Sequence, residues 1–266
     1  MIETSKLTGE RIKEYLSQGK RFDKRKLDEF RKISIETNIS KNAEGSARVK
    51  IGKTEVLVGV KMDIGEPYPD SPNQGNLVVN AELLPLSSPR FENGPPKFPA
   101  IELGRLVDRA VRESKFIEFK KLCIKEREKV WTVFIDVYSI NDDGNLFDAA
   151  SIGAITALKN AKIPKYDEKE EKILRDEPSK EPLPLSKTIP ISITIHKIGN
   201  NLVVDPTKEE EDLSETRVTI GGSDDTIFSM QKGDSSSLSI EEIGNILETA
   251  KKIWKDLYKT LDKFLK

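Results

Sequence analysis

The stretch that most restricts how this chain can fold is Ala149–Leu158, AASIGAITAL. It is apolar or small on every side of a helix, and a helix without a polar face has to be buried. Asp148 reads as its N-cap, and Asp142-Asp143-Gly144-Asn145 as the turn that delivers the chain to it. The run before that turn, Val130–Ile140 (VWTVFIDVYSI), is nearly all apolar or β-branched, as expected of a strand covered on both faces. Earlier strand candidates alternate instead: Ile33, Ile35, Thr37 and Ile39, then Ala47–Ile51 and Glu55–Lys61 as a hairpin around Gly52-Lys53, then Leu77–Leu84. Thr8 caps a short opening helix with Leu7, Ile12, Tyr15 and Leu16 on its apolar side.

In the second half, Ile189–Lys197 turns at Gly199-Asn200-Asn201 into Leu202–Asp205, and Arg217–Ile220 and Thr226–Gln231 are further strands. The last helix is the clearest. Ser239 and Glu242 form a capping box, and Ile243, Ile246, Leu247, Ala250, Ile253, Trp254, Leu257, Leu261 and Phe264 keep one stripe. Each half runs strands first and helix last, which predicts an α+β fold of two similar βα lobes. The expected lobes are about 20–163 and 188–266 of a single domain. Pro164–Lys187 between them is charged and Pro-rich with little to bury, and reads as a surface linker.

The 44 Lys+Arg and 45 Asp+Glu leave a net charge of -1, so no overall field draws in nucleic acid and anion binding has to be local. One Cys excludes an internal disulfide and agrees with a reducing compartment. No apolar leader or membrane-length apolar run occurs, so a soluble, cytoplasmic protein without a membrane partner is expected. P-loop, dinucleotide-binding and zinc spacings are missing. His196, the single histidine, sits in an alternating strand and reads as a packing or surface residue; Cys123 has no second thiol. The acid runs Glu209-Glu210-Glu211-Asp212 and Asp224-Asp225 read as solvated loops, with Mg²⁺ binding as the functional alternative.

The sharpest surface feature is the helix Ala100–Ser114. Leu103, Leu106, Val107, Ala110 and Val111 make its buried stripe, while Arg105, Arg109 and Arg112 share the other face. Forked guanidinium groups on a rigid rod suit phosphate oxygens. The same face also reads as ion-paired, Glu102 with Arg105 and Asp108 with Arg112, which leaves only Arg109 without an acid of its own.

AEGSARVKIGKTEVLVGVK, NAELLPL, IELGRLVDRAVRES, VFIDVYSINDDGNLFDAASIGAITALKNAKIP and VVDPTKEEE, followed by the terminal helix, resemble the ribonuclease PH family in order over nearly the whole chain. PNQGNLVVNAELLPL and DPTKEEE are most similar to the branch that alternates with a catalytic sister in the archaeal exosome ring. The resemblance implies the ribonuclease PH fold (ribosomal protein S5 domain 2-like) and a role in phosphorolytic 3′→5′ degradation of single-stranded RNA. Active members attack the 3′-terminal linkage with phosphate, using a loop that ends in Gly, a small hydroxyl residue and Arg, and a carboxylate serving Mg²⁺ or a proton. Here Asn145, Leu146 and Phe147 align with the loop, and Arg217 with the carboxylate. Asp23-Lys24-Arg25 replaces the family's Asp-Gly-Arg.

Two separate losses imply a silent subunit with no catalytic residue, metal or cofactor of its own, phosphate and Mg²⁺ being used by the sister. The resemblance further implies three such heterodimers in a ring, RNA-binding cap subunits on one face, and RNA contacts from Arg105 and Arg109. For Arg112 the RNA and ion-pair readings both stand. An active phosphorolytic exoribonuclease and a scaffold without RNA contact are the alternatives.

Overall fold

The structure is a computed structural model that describes residues 4–265 apart from 176, 178, 224 and 225, so the acidic pair Asp224-Asp225 lies outside the described residues. Helix α1 (Lys6–Ser17) precedes a first sheet of β1 (Ile33–Thr37), β2 (Gly45–Ile51), β3 (Thr54–Gly65), β4 (Asn76–Leu83), β5 (Cys123–Lys125) and β6 (Lys129–Asn141). Their order is β1-β2-β3-β6-β4, with β5 beside the start of β6. All pairs are antiparallel except β4 with β6, whose parallel register needs a crossover that α2 (Phe98–Glu113) supplies. Helix α3 (Leu146–Asn160) follows, then the short pair β7 (Lys165–Asp167) and β8 (Lys172–Leu174). The second sheet holds β9 (Ile191–Ile198), β10 (Asn201–Val204), β11 (Thr216–Ser223) and β12 (Thr226–Gly233) in the antiparallel order β10-β9-β11-β12. A one-turn α4 (Lys208–Glu211) sits between β10 and β11, and α5 (Ile240–Leu265) ends the chain.

Helix α3 is the centre of the molecule, packed against β2 and β3 of one sheet and β9 of the other. Every residue from Asp148 to Leu158 is buried, as its apolar circumference requires. Gly153 lets the helix close on the first sheet, since a Cβ there would lie 2.6 Å from Val58 Cγ2. Helix α5 covers the second sheet through Ile246, Ala250, Ile253, Trp254, Leu257 and Leu261, and Trp254 Nε1 donates to Ile191 O at 2.9 Å. Its capping box is complete: Ser239 N donates to Glu242 Oε2 (2.8 Å) and Glu242 N to Ser239 Oγ (3.1 Å).

Four local expectations are corrected. Asp148 is not the α3 cap. Gly144 and Asn145 take left-handed steps (φ 85° and 62°), so the helix begins at Leu146 and Asp148 falls inside its first turn. Ser5, whose Oγ accepts from Thr8 N at 3.2 Å, caps α1 in place of Thr8, and Leu7 is 79% exposed. Strand β6 is covered on both sides only over 130–133 and alternates afterwards. Within Pro164–Lys187 the hairpin tip is exposed, but the return is packed: Leu183 is buried, its N donates to Ala161 O (3.1 Å), and Ser186 N donates to Phe116 O (2.8 Å). Leu183 and Leu185 sit between runs of charge, which hides two apolar anchors from a composition argument.

Candidate nucleic-acid interface and the seam between the lobes

Pro99 in the first turn of α2 fixes its start, and the buried stripe of Leu103, Leu106, Val107, Ala110 and Val111 fixes which side faces outward. Arg105, Arg109 and Arg112 are all exposed on that outer side. Arg112 keeps its expected partner and Arg109 has no acid, as expected; Arg105 alone departs from the expected pairing. Arg112 is held by Asp108 (Nη2–Oδ1 2.7 Å, Nε–Oδ2 3.1 Å) and also donates to Leu77 O at 3.2 Å. Arg109 donates from Nη1 to the neutral Gln231 Oε1 on β12, at 3.1 Å. Arg105 has no hydrogen bond or ion pair among the described residues. Glu102, the expected partner of Arg105, is buried and turned toward the second lobe.

What Glu102 meets there is Arg217. Strand β11 carries Arg217 to the seam, where Nη2 bonds Glu102 Oε2 and Nη1 bonds Asp234 Oδ2, each at 2.6 Å. Gly233 on the neighbouring strand leaves the room, because a Cβ there would lie 2.6 Å from Arg217 Cζ. The guanidinium also lies over the Phe147 ring, 5.1 Å from its centroid, a cation–π distance. Arg217 and Phe147, read from the sequence as two separate departures, therefore touch. Gln231 Nε2 donates to Glu102 Oε1 at 3.2 Å, so one chain of contacts runs Arg109–Gln231–Glu102–Arg217–Asp234.

Asn145, at the cap position of α3, is bonded within the chain. Asn145 N donates to Glu211 Oε1 (3.2 Å), and Asn145 Nδ2 to Asp205 Oδ1 (2.8 Å). Leu146 and Phe147 are half-buried and add no donor side chain. Burial alone would push the Asp205 carboxyl up; the bonds and charge of Arg31 outweigh it and hold it below the usual carboxylate range. Arg31 reaches both Asp205 oxygens (2.7 and 2.9 Å), and Arg25 adds a third contact at 3.0 Å. Lys24, where the family resemblance implies Gly, has φ 67°, the left-handed region that glycine enters without strain.

The run Glu209-Glu210-Glu211-Asp212 is a correction too. Only Glu209 is exposed. Glu210 is buried against Arg21 Nε (2.9 Å), Glu211 bonds Lys208 Nζ (2.7 Å), and Asp212 bonds Arg90 Nη2 (2.6 Å). These carboxylates already face cations of the chain itself, and no group of three or more His, Cys, Asp or Glu among the described residues is placed to hold a metal ion. Arg217 stands at the centre of the seam, and the carboxylates around it are paired with cations of the same chain, an arrangement that offers a hard cation no free oxygen cluster among the described residues. His196 is buried, with Nδ1 3.1 Å from Ser214 Oγ, and burial lowers it to about 4. The long-range partners Asp234, Gln231, Arg21 and Arg90 carried no signal in local spacing.

No helix among the described residues is long and apolar enough to cross a membrane. Residues 29–164 match the 3′ exoribonuclease family, domain 1, and residues 188–253 match domain 2 of the same family. The exosome complex component Rrp42 of Methanothermobacter thermautotrophicus is 42% identical over 97% of this chain and 95% of its own length. That of Pyrococcus furiosus is 48% identical over 92% and 89%. Among solved structures, the Archaeoglobus fulgidus exosome with RNA bound to the active site superposes with a TM-score of 0.88 and 42% identity, covering 96% of this chain and 98% of that one. Rice Rrp46, at 16% identity and a TM-score of 0.69, shares the fold. The chain belongs to the 3′ exoribonuclease family built on the ribonuclease PH fold.

Proposed function

We propose that this chain is a catalytically silent ring subunit of an exosome, paired with a catalytic ribonuclease PH-like sister and gripping the 3′ end of single-stranded RNA. Three such pairs would form the ring, with RNA-binding cap subunits on one face. The sister would supply the chemistry, in which phosphate attacks the terminal linkage, Mg²⁺ assists and a nucleoside diphosphate leaves. The observation that carries this reading is the contrast between two sets of arginines. Arg217 is committed to Glu102 and Asp234 of its own chain, whereas Arg105 has no partner among the described residues and Arg109 only a neutral one. Free guanidinium groups on a helix face track phosphates without reading sequence. Arg112, already bound to Asp108 and Leu77 O, is the weakest of the three as an RNA contact.

The test is reconstitution. The purified chain, its sister, and the two together are assayed for phosphate-dependent shortening of an oligoadenylate. The chain alone should release no nucleoside diphosphate, and the mixture should be active. Arg105→Ala with Arg109→Ala should leave assembly intact, slow shortening, and flatten the salt dependence of RNA binding by roughly 0.7 log units per lost contact. Nucleoside diphosphate release by the isolated chain would overturn the silence, and unchanged affinity and salt slope in the double variant would overturn the RNA grip.

A further inference from the structure

We infer that Arg217 is a positioning residue for RNA binding: by drawing Glu102 into the seam, it keeps Arg105 free and orients Gln231 toward Arg109. The inference rests on the proposed RNA grip and gives the residue at the family's carboxylate position a task of its own. Glu102 lies three residues before Arg105 on α2, the spacing at which a carboxylate and a guanidinium pair across one helical turn. Such a pair would compete with phosphate for the arginine. In the structure Glu102 is buried 2.6 Å from Arg217, and Arg105 is left facing solvent. Asp234 holds the other arm of the fork, and the Phe147 ring backs the guanidinium, so Arg217 is fixed from three sides.

The second consequence concerns Gln231. A carboxylate accepts hydrogen bonds and cannot donate them, so Glu102 selects the amide nitrogen of Gln231, 3.2 Å away. That choice turns the amide oxygen toward Arg109, which it meets at 3.1 Å. Arg109 is thereby steered by a neutral acceptor, which orients the guanidinium without cancelling its charge. Without Arg217, Glu102 would lose its counter-charge, swing toward Arg105, and release the amide.

The experiment measures binding of a fluorescent single-stranded oligoadenylate by the assembled complex across a salt series. Arg217→Gln should weaken binding and flatten the salt slope by roughly 0.7 log units, the signature of one lost phosphate contact. Arg217→Gln with Glu102→Gln should restore the wild-type slope, because Glu102 then carries no charge with which to capture Arg105 and Asp108 stays with Arg112. If Arg217→Gln fails to assemble, Arg217→Lys, which keeps a counter-charge for Glu102, and Arg217→Met, which does not, are compared: a wild-type slope in the first beside a flattened one in the second supports the inference, and equal slopes overturn it. An Arg217→Gln complex that binds with unchanged affinity and slope also overturns it. Arg105→Ala with Arg109→Ala in the same series separates the two ideas. Weakened binding there beside an inert Arg217→Gln defeats this inference alone, whereas no effect from either defeats the RNA grip itself.

Discussion

Burial pushes the Asp148 carboxyl up to about 8, against hydrogen bonds from Thr194 and Asn145 that favour the charged form. At neutral pH it is therefore mostly the protonated acid, inside the first turn of a wholly buried helix. Two nearby oxygens, Asp148 Oδ2 and Asn145 Oδ1, lack partners as the heavy atoms stand, and a proton on the carboxyl gives the first a role as donor. The unfolded chain releases this proton near 3.8, so the contribution to stability is fully present below that pH. It declines as pH rises toward 8, by up to about 1.4 kcal/mol per unit, and is constant above. Asp148→Asn keeps an acceptor for Thr194 and cannot ionise. The expected result is a melting-temperature advantage for the variant that widens from pH 5 to pH 8, by roughly 2–4 °C per kcal/mol. His196 titrates in both proteins and cancels in the difference, so a pH-independent gap would refute the assignment.

At the scale of elements, the parts read best from the sequence are those whose cause is local. An apolar circumference made α3 legible, a capping box and a sustained stripe made α5 legible, and Gly52 made the β2–β3 hairpin legible, with φ 60°. The outer face of α2 was legible as a row of arginines but not in its pairing, because Glu102 answers to Arg217, 115 residues away. The segment between the lobes failed for another reason: average composition concealed Leu183, which is 4% exposed. This yields a paired prediction. Replacing residues 168–170 at the exposed tip of the β7–β8 hairpin with Gly/Ser should leave the melting temperature of the assembled protein unchanged within about 2 °C, since surface changes away from packed or paired groups stay within roughly 0.5 kcal/mol. Leu183→Ala should remove about 2–4 kcal/mol by opening a cavity. Thermal denaturation of both variants checks it, and equal effects would mean that the segment behaves as one piece.

At the scale of the whole molecule, the two lobes meet through charge as well as through the apolar core around α3. Arg31 and Arg25 reach Asp205, Arg90 reaches Asp212, Arg21 reaches Glu210, and Arg217 reaches Glu102, each across more than a hundred residues of sequence. Arg217→Asp tests what that seam is for. The family resemblance aligns this position with a carboxylate, so the change would be expected to awaken the subunit if it is silent as proposed. The contacts predict otherwise. An aspartate at 217 would face Glu102 and Asp234 without a cation, in a place where the present side chains of Arg217 and Glu102 are only 15% and 8% exposed. It would also take a cation off the Phe147 ring and leave Asn145 still bonded to Glu211. Leaving charges unpaired at this depth costs about 3 kcal/mol, so the melting temperature should drop by roughly 6–12 °C. On the proposed function, turnover should remain undetectable when the proposed sister is disabled at its own catalytic carboxylate, because Leu146 and Phe147 still bring no hydroxyl or guanidinium to an attacking phosphate. Adding Glu102→Gln and Asp234→Asn should recover most of the stability and still give no turnover. Phosphate-dependent turnover by Arg217→Asp in that setting would show that one substitution silenced the chain and that the rest of the seam had kept its catalytic form.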